Sequence, residues 1–205
     1  MAFIGDFPQT PGFTTANFRQ NTATKKTESA SGRIIRATNA TTVWSGTLQF
    51  PPMSLAESRP VQAFASRCQG SLNEFDIIIP NVSTTQSGYT SQLTYPTGTA
   101  TAGSTSCTVT SDQTSVTILK AGDVIRFPNH TKVYMVTEDV TTDGSGDATI
   151  NFQPGLITAV DEDSAGATIQ VSNVEFRMIL ANDIQEFGYR TDGLVEYEID
   201  IQEAV

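Results

Sequence analysis

Nucleophilic catalysis by a serine or a cysteine would depend on the one histidine of this 205-residue chain, His130, and the chain has two cysteines, Cys68 and Cys107. Catalysis by a Ser–His–Asp or Cys–His arrangement needs a histidine as its base. His130 lies in a predicted hairpin turn without a cysteine or a second histidine beside it, so we expect an exposed side chain with neither a catalytic nor a metal-binding role. Cys68 falls on the apolar stripe of a predicted helix, which indicates a packing role. Cys107 falls on a predicted strand of another domain, so we expect no disulfide between the two.

The acidic residues could bind a metal or act as a paired acid and base, but no spacing singles out a pair. The loop at residues 143–147 offers oxygen ligands at alternate positions, yet it lacks the bidentate glutamate of a calcium loop, so a plain turn explains it better. The acidic cluster at residues 161–163 is interpreted in the same way. Gly-Ser-Gly at 144–146 has no following lysine and no strand–helix context, which argues against a phosphate loop. The sequence therefore predicts no enzyme, no catalytic residue, no metal site and no cofactor.

The clearest secondary-structure pattern is a strict period of two at residues 195–201. Apolar side chains alternate there with acidic ones, Val195, Tyr197, Ile199 and Ile201 against Glu196, Glu198 and Asp200. This period predicts a strand with one buried face and one acidic face. Such a strand needs a partner sheet, and the nearest apolar strands outside the central region are residues 44–50 and 75–79. We therefore expect the chain to leave a first domain, build a second one and return.

The central region, residues 86–172, contains a rapid succession of short apolar strands divided by Gly, Pro and Asn turns. The predicted strands are residues 107–110, 116–119, 124–127, 132–137, 148–152 and 168–171. Five or six short antiparallel strands in about 70 residues predict a small barrel, and an oligonucleotide/oligosaccharide-binding (OB) barrel is one option. The polar stretch at residues 81–105 is predicted to be the least structured part of the chain.

Before the central region, the sequence predicts a polar arm and a hairpin. Residues 1–32 are rich in Thr, Asn, Gln, Pro and Gly, with aromatic side chains at Phe3, Phe7, Phe13 and Phe18. We expect little continuous secondary structure in this segment: either an extended arm that packs on its own domain or on a neighbouring subunit, or a local loop. Residues 33–37 and 41–50 are predicted to form a hairpin around residues 38–40.

One helix is predicted after this hairpin. Ser54 and Glu57 have the spacing of a capping box, but Pro60 favours a helix that begins near Ser58. An apolar stripe with i, i+3, i+4, i+7 spacing follows, at Val61, Phe64, Ala65 and Cys68. This spacing is typical of a helix with one buried face.

Composition indicates a mainly β protein. The chain has 38% hydrophobic and 17% charged residues, with 30 Thr and 17 Ser. Threonine favours strands because its branched Cβ fits a pleated surface. No apolar run approaches the roughly 20 residues that span a bilayer, and residues 1–11 lack a basic region followed by an apolar core. We expect a soluble chain without membrane contact, made in a reducing cytosol.

Charge is divided unevenly along the chain. Residues 1–70 carry seven Lys or Arg and three Asp or Glu, a net charge of +4, whereas residues 71–205 carry five and nineteen, a net charge of −14. The acidic excess is either ordinary solvated surface or a surface that repels polyanions, because like charge raises the free energy of DNA contact. Both alternatives disfavour DNA binding.

Four segments in a fixed order carry a family resemblance. They are Trp-Ser-Gly-Thr-Leu-Gln-Phe-Pro-Pro at 44–52 with its helix; Phe-Asp-Ile-Ile-Ile-Pro at 75–80; Lys-Ala-Gly-Asp-Val-Ile-Arg-Phe at 120–127 followed by His-Thr-Lys-Val-Tyr-Met-Val at 130–136; and Glu-Phe-Arg-Met-Ile-Leu at 175–180 with the final strand. In this order they resemble the distal tail proteins of long-tailed phages, especially the subtype whose second domain is an OB-fold. The most specific part is the Ala-Gly-Asp turn at 121–123 followed by Lys-Val-Tyr at 132–134 and Asp-Gly-Ser-Gly at 143–146, a pattern that also recurs in other phage tail proteins. Residues 1–32 lie outside the resemblance.

The resemblance implies a hexameric ring at the tip of the tail tube, with DNA passing through its lumen. Residues 1–85 and 173–205 would form a split β-barrel or sandwich ring domain with one helix. Residues 86–172 would form an inserted OB-like antiparallel barrel that projects outwards. The implied partners are other copies of the chain, the tail tube protein, and baseplate hub or tail-tip proteins, in a virion assembled from protein made in the host cytoplasm. No sequence-specific nucleic acid binding is implied.

Residues expected to matter for assembly come from the same patterns. The candidates for the core or for contacts between subunits are Trp44, Phe64, Phe75, Phe176 and Tyr197, and the candidate acidic face is Glu196, Glu198 and Asp200. Saccharide binding on the host surface has been suggested for family members with an OB-type insert. The insert here has Tyr89, Tyr95 and Tyr134, but its sequence shows no clear aromatic stacking platform. The alternative function is therefore a carbohydrate-binding β module in host-surface recognition.

Overall fold

The structure, a computed structural model, describes residues 2–95, 100–160 and 168–204. The first elements in chain order are β1 (Phe3–Asp6), β2 (Thr15–Glu28), β3 (Ile34–Gln49), β4 (Met53–Ser54), α1 (Leu55–Cys68) and β5 (Glu74–Ile78). The central elements are β6 (Leu93–Thr94), β7 (Ser106–Thr110), β8 (Thr117–Leu119), β9 (Val124–Arg126), β10 (Val133–Val136), β11 (Val140–Thr141), β12 (Asp147–Gln153) and β13 (Thr168–Ile169). The last are β14 (Glu175–Leu180), β15 (Phe187–Tyr189) and β16 (Leu194–Glu203). The prediction of a mainly β chain is confirmed.

The first sheet is built around β16. Its strand order is β1-β5-β14-β16-β3-β2, and β4 and β15 also pair with β16. The predicted alternation is confirmed, because Val195, Tyr197, Ile199 and Ile201 are buried while Glu196 and Glu198 are exposed. The two apolar strands expected as partners, β3 and β5, lie in the same sheet.

Strands β2 and β3 form a long hairpin that extends beyond this sheet. Only residues 45–49 of β3 pair with β16, whereas β2 and β3 pair with each other as far as Glu28 and Ile34. We call residues 22–42 the β2–β3 arm. The expectation of little continuous structure in residues 1–32 is wrong, because β1 and β2 occupy much of that segment.

The predicted hairpin around residues 38–40 is also wrong, since that stretch lies within β3. The chain turns instead at residues 29–33. Gly32 adopts φ +77° there, and its N–H donates to the Ser29 carbonyl at 2.8 Å. A tight turn of this kind favours glycine because side chains clash at positive φ. Residues 38–40 contain no glycine, and they continue the strand.

Helix α1 begins earlier than the predicted start near Ser58, so that prediction is wrong. Ser54 is the N-cap, and its side chain and the Glu57 side chain form a complete capping box. Pro60 lies inside the helix, where it lacks only the one N–H that would donate to the Ala56 carbonyl. The capping box stabilises the first turn, and the buried apolar stripe stabilises the later turns, despite that loss.

The central region forms a six-stranded sheet of order β13-β6-β7-β12-β10-β9 and a two-stranded sheet of β11 and β8. The six predicted strands are each present, with bounds that differ by one to two residues. The two-residue strands β6 and β11 were not predicted, because a period of two cannot be recognised over two residues. A second hydrophobic cluster, including Ile118, Phe127, Tyr134 and Phe152, fills this region.

Candidate functional site

The five aromatic candidates for core or subunit contacts all lie in the hydrophobic cluster of the first sheet, and all are buried. The indole of Trp44 stacks on the Phe18 ring at 5.2 Å between centroids and meets the Phe176 ring edge-on. Phe64 and Phe75 pack edge-on at 5.5 Å. Within a single copy these side chains therefore serve the core.

The acidic face candidates lie along the uncovered side of β16. Thr47 Oγ1 donates to Asp200 at 2.6 Å, and Gln49 Nε2 donates to Glu198 at 2.6 Å. Glu196 forms an ion pair with Arg190 at 2.8 Å. Because Glu196 and Glu198 are exposed, this pairing leaves negative charge on the surface of the sheet.

Glu196, Glu198 and Asp200 also line an open groove of about 600 Å³. The opposite wall comes from the segment between β14 and β15 and includes Ile184 and Glu186. Sequence reasoning did not predict this groove, because it depends on where the loop between β14 and β15 folds back over β16.

A buried polar junction joins the central region to the first sheet. The Lys132 ammonium and the backbone N–H groups of Trp44 and Val133 all donate to the Glu203 carboxylate. The indole N–H of Trp44 donates to the Val133 carbonyl at 3.2 Å. Burial lowers the pKa of Lys132, while the attraction of Glu203 opposes that shift. This arrangement fixes β10 against β3 and β16.

Sequence reasoning missed this junction, although a signal was present. Glu203 continues the buried positions of β16 at the spacing of two, after Ile199 and Ile201. The alternation predicts that position 203 is buried. A buried carboxylate needs hydrogen-bond donors or a cation beside it. That cation is Lys132, 71 residues earlier in the chain.

A second group of ion pairs lies beside this junction. Arg177 binds Asp76 through two hydrogen bonds of 2.6 and 3.0 Å, which raise the pKa of the Arg177 guanidinium. Arg126 of the central region donates to the Glu175 carbonyl at 2.9 Å and lies 3.7 Å from Asp76. Burial raises the pKa of Glu175, and Arg126 partly offsets that rise. These pairs join β9 to β14 and β5.

His130 is buried, so the prediction of an exposed turn histidine is wrong. The turn at residues 127–130 folds inward, and Nδ1 of His130 lies 2.6 Å from the hydroxyl oxygen of Tyr134. Burial lowers the pKa of His130, while the carbonyls of Ala159 and Thr158 oppose the shift. The side chain serves the core of the central region, beside the Phe127 ring.

The remaining candidates for chemistry are the two cysteine thiols and the acidic residues. Both thiols are free and buried, and burial raises the pKa of Cys68 to about 11 and that of Cys107 to about 12. Reactive thiols have a lowered pKa, whereas the raised pKa of these two favours the protonated thiol at neutral pH. In the loop at 143–147, the Asp143 carboxylate accepts the N–H groups of Ser145 and Asp147, as expected for a plain turn. Across the described ranges, no group of three or more His, Cys, Asp or Glu could hold a metal ion. The acidic cluster at 161–163 lies outside the described residues.

The three tyrosines considered for saccharide stacking, Tyr89, Tyr95 and Tyr134, are buried. Tyr89 donates a hydrogen bond of 3.0 Å to Asp112. Stacking on a sugar requires an exposed ring face, which none of these side chains offers. The structure thus gives the carbohydrate-binding alternative no aromatic platform at these positions.

A family model described as the B domain of distal tail protein pb9 matches residues 83–171. The resemblance to phage distal tail proteins is confirmed. The match covers all the strands from β6 to β13, and it supports a structural protein of the phage distal tail, located in the tail of the virion. The curated proteins contain no match to the chain. In the described part of the chain, α1 is too short and too polar to cross a membrane.

Proposed function

We propose that this distal tail protein forms a hexameric ring between the tail tube and the tail tip or baseplate, and that DNA passes through the ring's lumen. The observation that carries the proposal is the match of residues 83–171 to a distal tail protein B domain. The surrounding sheet supports it, because β16 pairs with four strands and presents an uncovered polar face. Distal tail proteins are structural proteins of the phage tail. A protein of this class must therefore assemble with other tail proteins.

The proposed ring domain is residues 1–85 and 173–205, with residues 86–172 as an inserted OB-like barrel. Sheet composition supports this division, because β6 to β13 pair only among themselves and the other strands form the first sheet. The buried Lys132–Glu203 pair holds the insert in a fixed orientation on the ring domain. The insert then projects from the ring as a rigid unit.

Charge supports the proposed passage of DNA through the lumen. The formal net charge of −10 makes each copy repel a polyanion, so DNA would pass without adhering. A positively charged lumen would instead hold the phosphates through counterion release. The proposed partners are other copies of the chain, the tail tube protein, and the hub or tip proteins below the ring.

The location is tested with virions that carry a peptide tag after Val205. Gold-labelled antibody against the tag should bind at the junction between tail tube and tail tip, as seen by electron microscopy. A matched phage without the tag gives the background. Label on the capsid or along the tail tube would contradict the proposal, as would virions that lack the protein.

A further inference from the structure

The β2–β3 arm is basic in an otherwise acidic chain. Residues 22–42 contain Lys25, Lys26, Arg33 and Arg36 against the single acid Glu28, a net charge of +3, while the whole chain carries −10. In the described part of the chain, none of these four cations forms an ion pair. The arm thus presents unpaired positive charge beyond the edge of the sheet.

The arm also exposes apolar surface and holds like charges together. Ile34 is 55% exposed and Ile35 is 57% exposed. Lys26 lies directly opposite Arg36 in the antiparallel pairing, and like charges at such positions destabilise a β ribbon. An isolated two-stranded ribbon is itself only marginally stable in water. A partner that is acidic and partly apolar would relieve each of these features.

The groove beside β16 has that complementary character. Glu186, Glu196 and Glu198 line it, and Ile184 on its wall is 86% exposed. Glu196 has Arg190 as a cationic partner, whereas Glu186 and Glu198 have none within the described residues. The groove therefore offers negative charge beside one large apolar side chain, Ile184. One face of the arm offers the complement, with Lys26 and Arg36 beside Ile34.

Arm and groove lie at opposite ends of β16. Ser45 of β3 pairs with Gln202, so the arm continues past the C-terminal end of β16, and it extends about 20 Å over residues 22–28. The groove lies at Glu198 and Glu196, which are about 13 and 20 Å from Gln202 in the other direction. An arm that points away from its own groove can reach only the groove of another copy. Head-to-tail contacts of this kind form a ring when the rotation between neighbouring copies closes, and an open filament when it does not.

We propose that the β2–β3 arm of one copy docks in the acidic groove of a second copy, with Lys26 and Arg36 facing Glu186 and Glu198 and with Ile34, on the same face of the arm, against Ile184. This contact deepens the proposed ring and rests on it. Exposed isoleucines favour a protein partner over DNA, because a phosphate backbone offers no apolar cover for them. Salt at 1 M should weaken the contact, because ions screen exposed charges.

A charge exchange in the full chain tests the pairing. The arm variant is Lys26→Glu/Arg36→Glu, the groove variant is Glu186→Lys/Glu198→Lys, and the third protein combines all four changes. Arg59→Glu/Lys120→Glu is the matched control, because both side chains are exposed and lie outside arm and groove. Sedimentation velocity at equal concentration measures the assembly, and circular dichroism checks folding. If the groove variant fails to fold, Glu186→Lys alone replaces it, since in the described structure Glu186 makes no hydrogen bond or ion pair.

We expect each double variant to weaken self-association by at least about tenfold, because it places like charges across the contact. The combined variant should recover assembly to near the wild-type level, and the control should assemble normally. If wild type and arm variant form the same ring, the docking proposal is wrong while the proposed ring stands. Dissociation of the arm variant without rescue in the combined protein would also overturn the arm–groove pairing. So would a ring that stays intact in the arm variant but loses binding to duplex DNA. A monomeric wild type would overturn the ring itself.

Discussion

The ammonium of Lys132 and the carboxylate of Glu203 form an ion pair in which both side chains are at most 2% exposed. Lys132 precedes β10 in the central region, and Glu203 ends β16 in the first sheet. The hydrophobic cluster of the first sheet also includes Val124 and Val133 from the central region. The two sheets are therefore coupled through both polar and apolar contacts.

Loss of one partner of this ion pair should destabilise the protein strongly. Lys132→Met leaves the Glu203 carboxylate buried with only backbone donors, and we expect the free energy of unfolding to fall by about 3–5 kcal/mol. Urea denaturation followed by tryptophan fluorescence measures this, since Trp44 donates to the same carboxylate. Lys132→Met/Glu203→Gln should recover much of the loss, and Lys120→Met serves as an exposed control. A Lys132→Met protein as stable as that control would contradict the importance of the pair.

Replacing residues 86–172 with a short Gly-Ser linker tests the nested layout. We expect the remaining chain to fold, because inserted domains generally fold independently of their hosts. It should be weakened, because Glu203 loses Lys132 and the cluster loses Val124 and Val133. Adding Glu203→Gln should raise the midpoint of thermal unfolding by removing the unpaired charge. If neither the deletion protein nor its Glu203→Gln variant shows a cooperative thermal unfolding transition, the nested layout is wrong.

Truncation after Gly193 should unfold the first sheet. Burial of Val195, Tyr197, Ile199 and Ile201 contributes roughly 1.5–3 kcal/mol per side chain before conformational entropy is subtracted. That gross sum is comparable with the whole stability of a small domain. Limited proteolysis should leave a resistant fragment near residues 86–172. Survival of residues 33–80 as the resistant fragment would mean that β16 does not hold the sheet together.

His130 should make the protein less stable in mild acid. Burial lowers its pKa from the ordinary value of 6.5, so as the pH falls through 6.5 the unfolded chain binds a proton that the folded chain does not. The stability from neutral His130 is thus complete above that pH and declines below it, by at most about 1.4 kcal/mol per pH unit. His130→Asn can keep a hydrogen bond to Tyr134 without titrating. We expect the urea midpoint to fall more between pH 7.5 and 5.5 for wild type than for His130→Asn, and equal falls would contradict this role of His130.

Helices and strands with one buried face could be predicted from the sequence, because burial of one face requires apolar residues at regular spacing. β16 and the apolar stripe of α1 have such periods, and both were located correctly. The β2–β3 arm has no such period, because residues 22–28 are exposed on both faces of the ribbon. The turn of the arm depends on Gly32. Many polar residues surround this glycine, so the sequence did not single it out as the turn position.

The polar parts of the site depended on tertiary structure that no local pattern records. Residues in turns are usually exposed. His130 is buried because the turn that begins at Phe127 folds inward. The partner of Glu203 lies 71 residues away, so spacing could suggest that a partner was needed without identifying Lys132. The acidic side of β16 was predictable, whereas its groove required the loop that carries Ile184.

The mass of the purified full-length protein in native mass spectrometry tests the ring most directly. Six chains of 22.0 kDa give a particle of about 132 kDa, and this particle should appear in electron micrographs as a ring with a central hole. A single species at the mass of one chain, with no ring-shaped particles, would contradict the account.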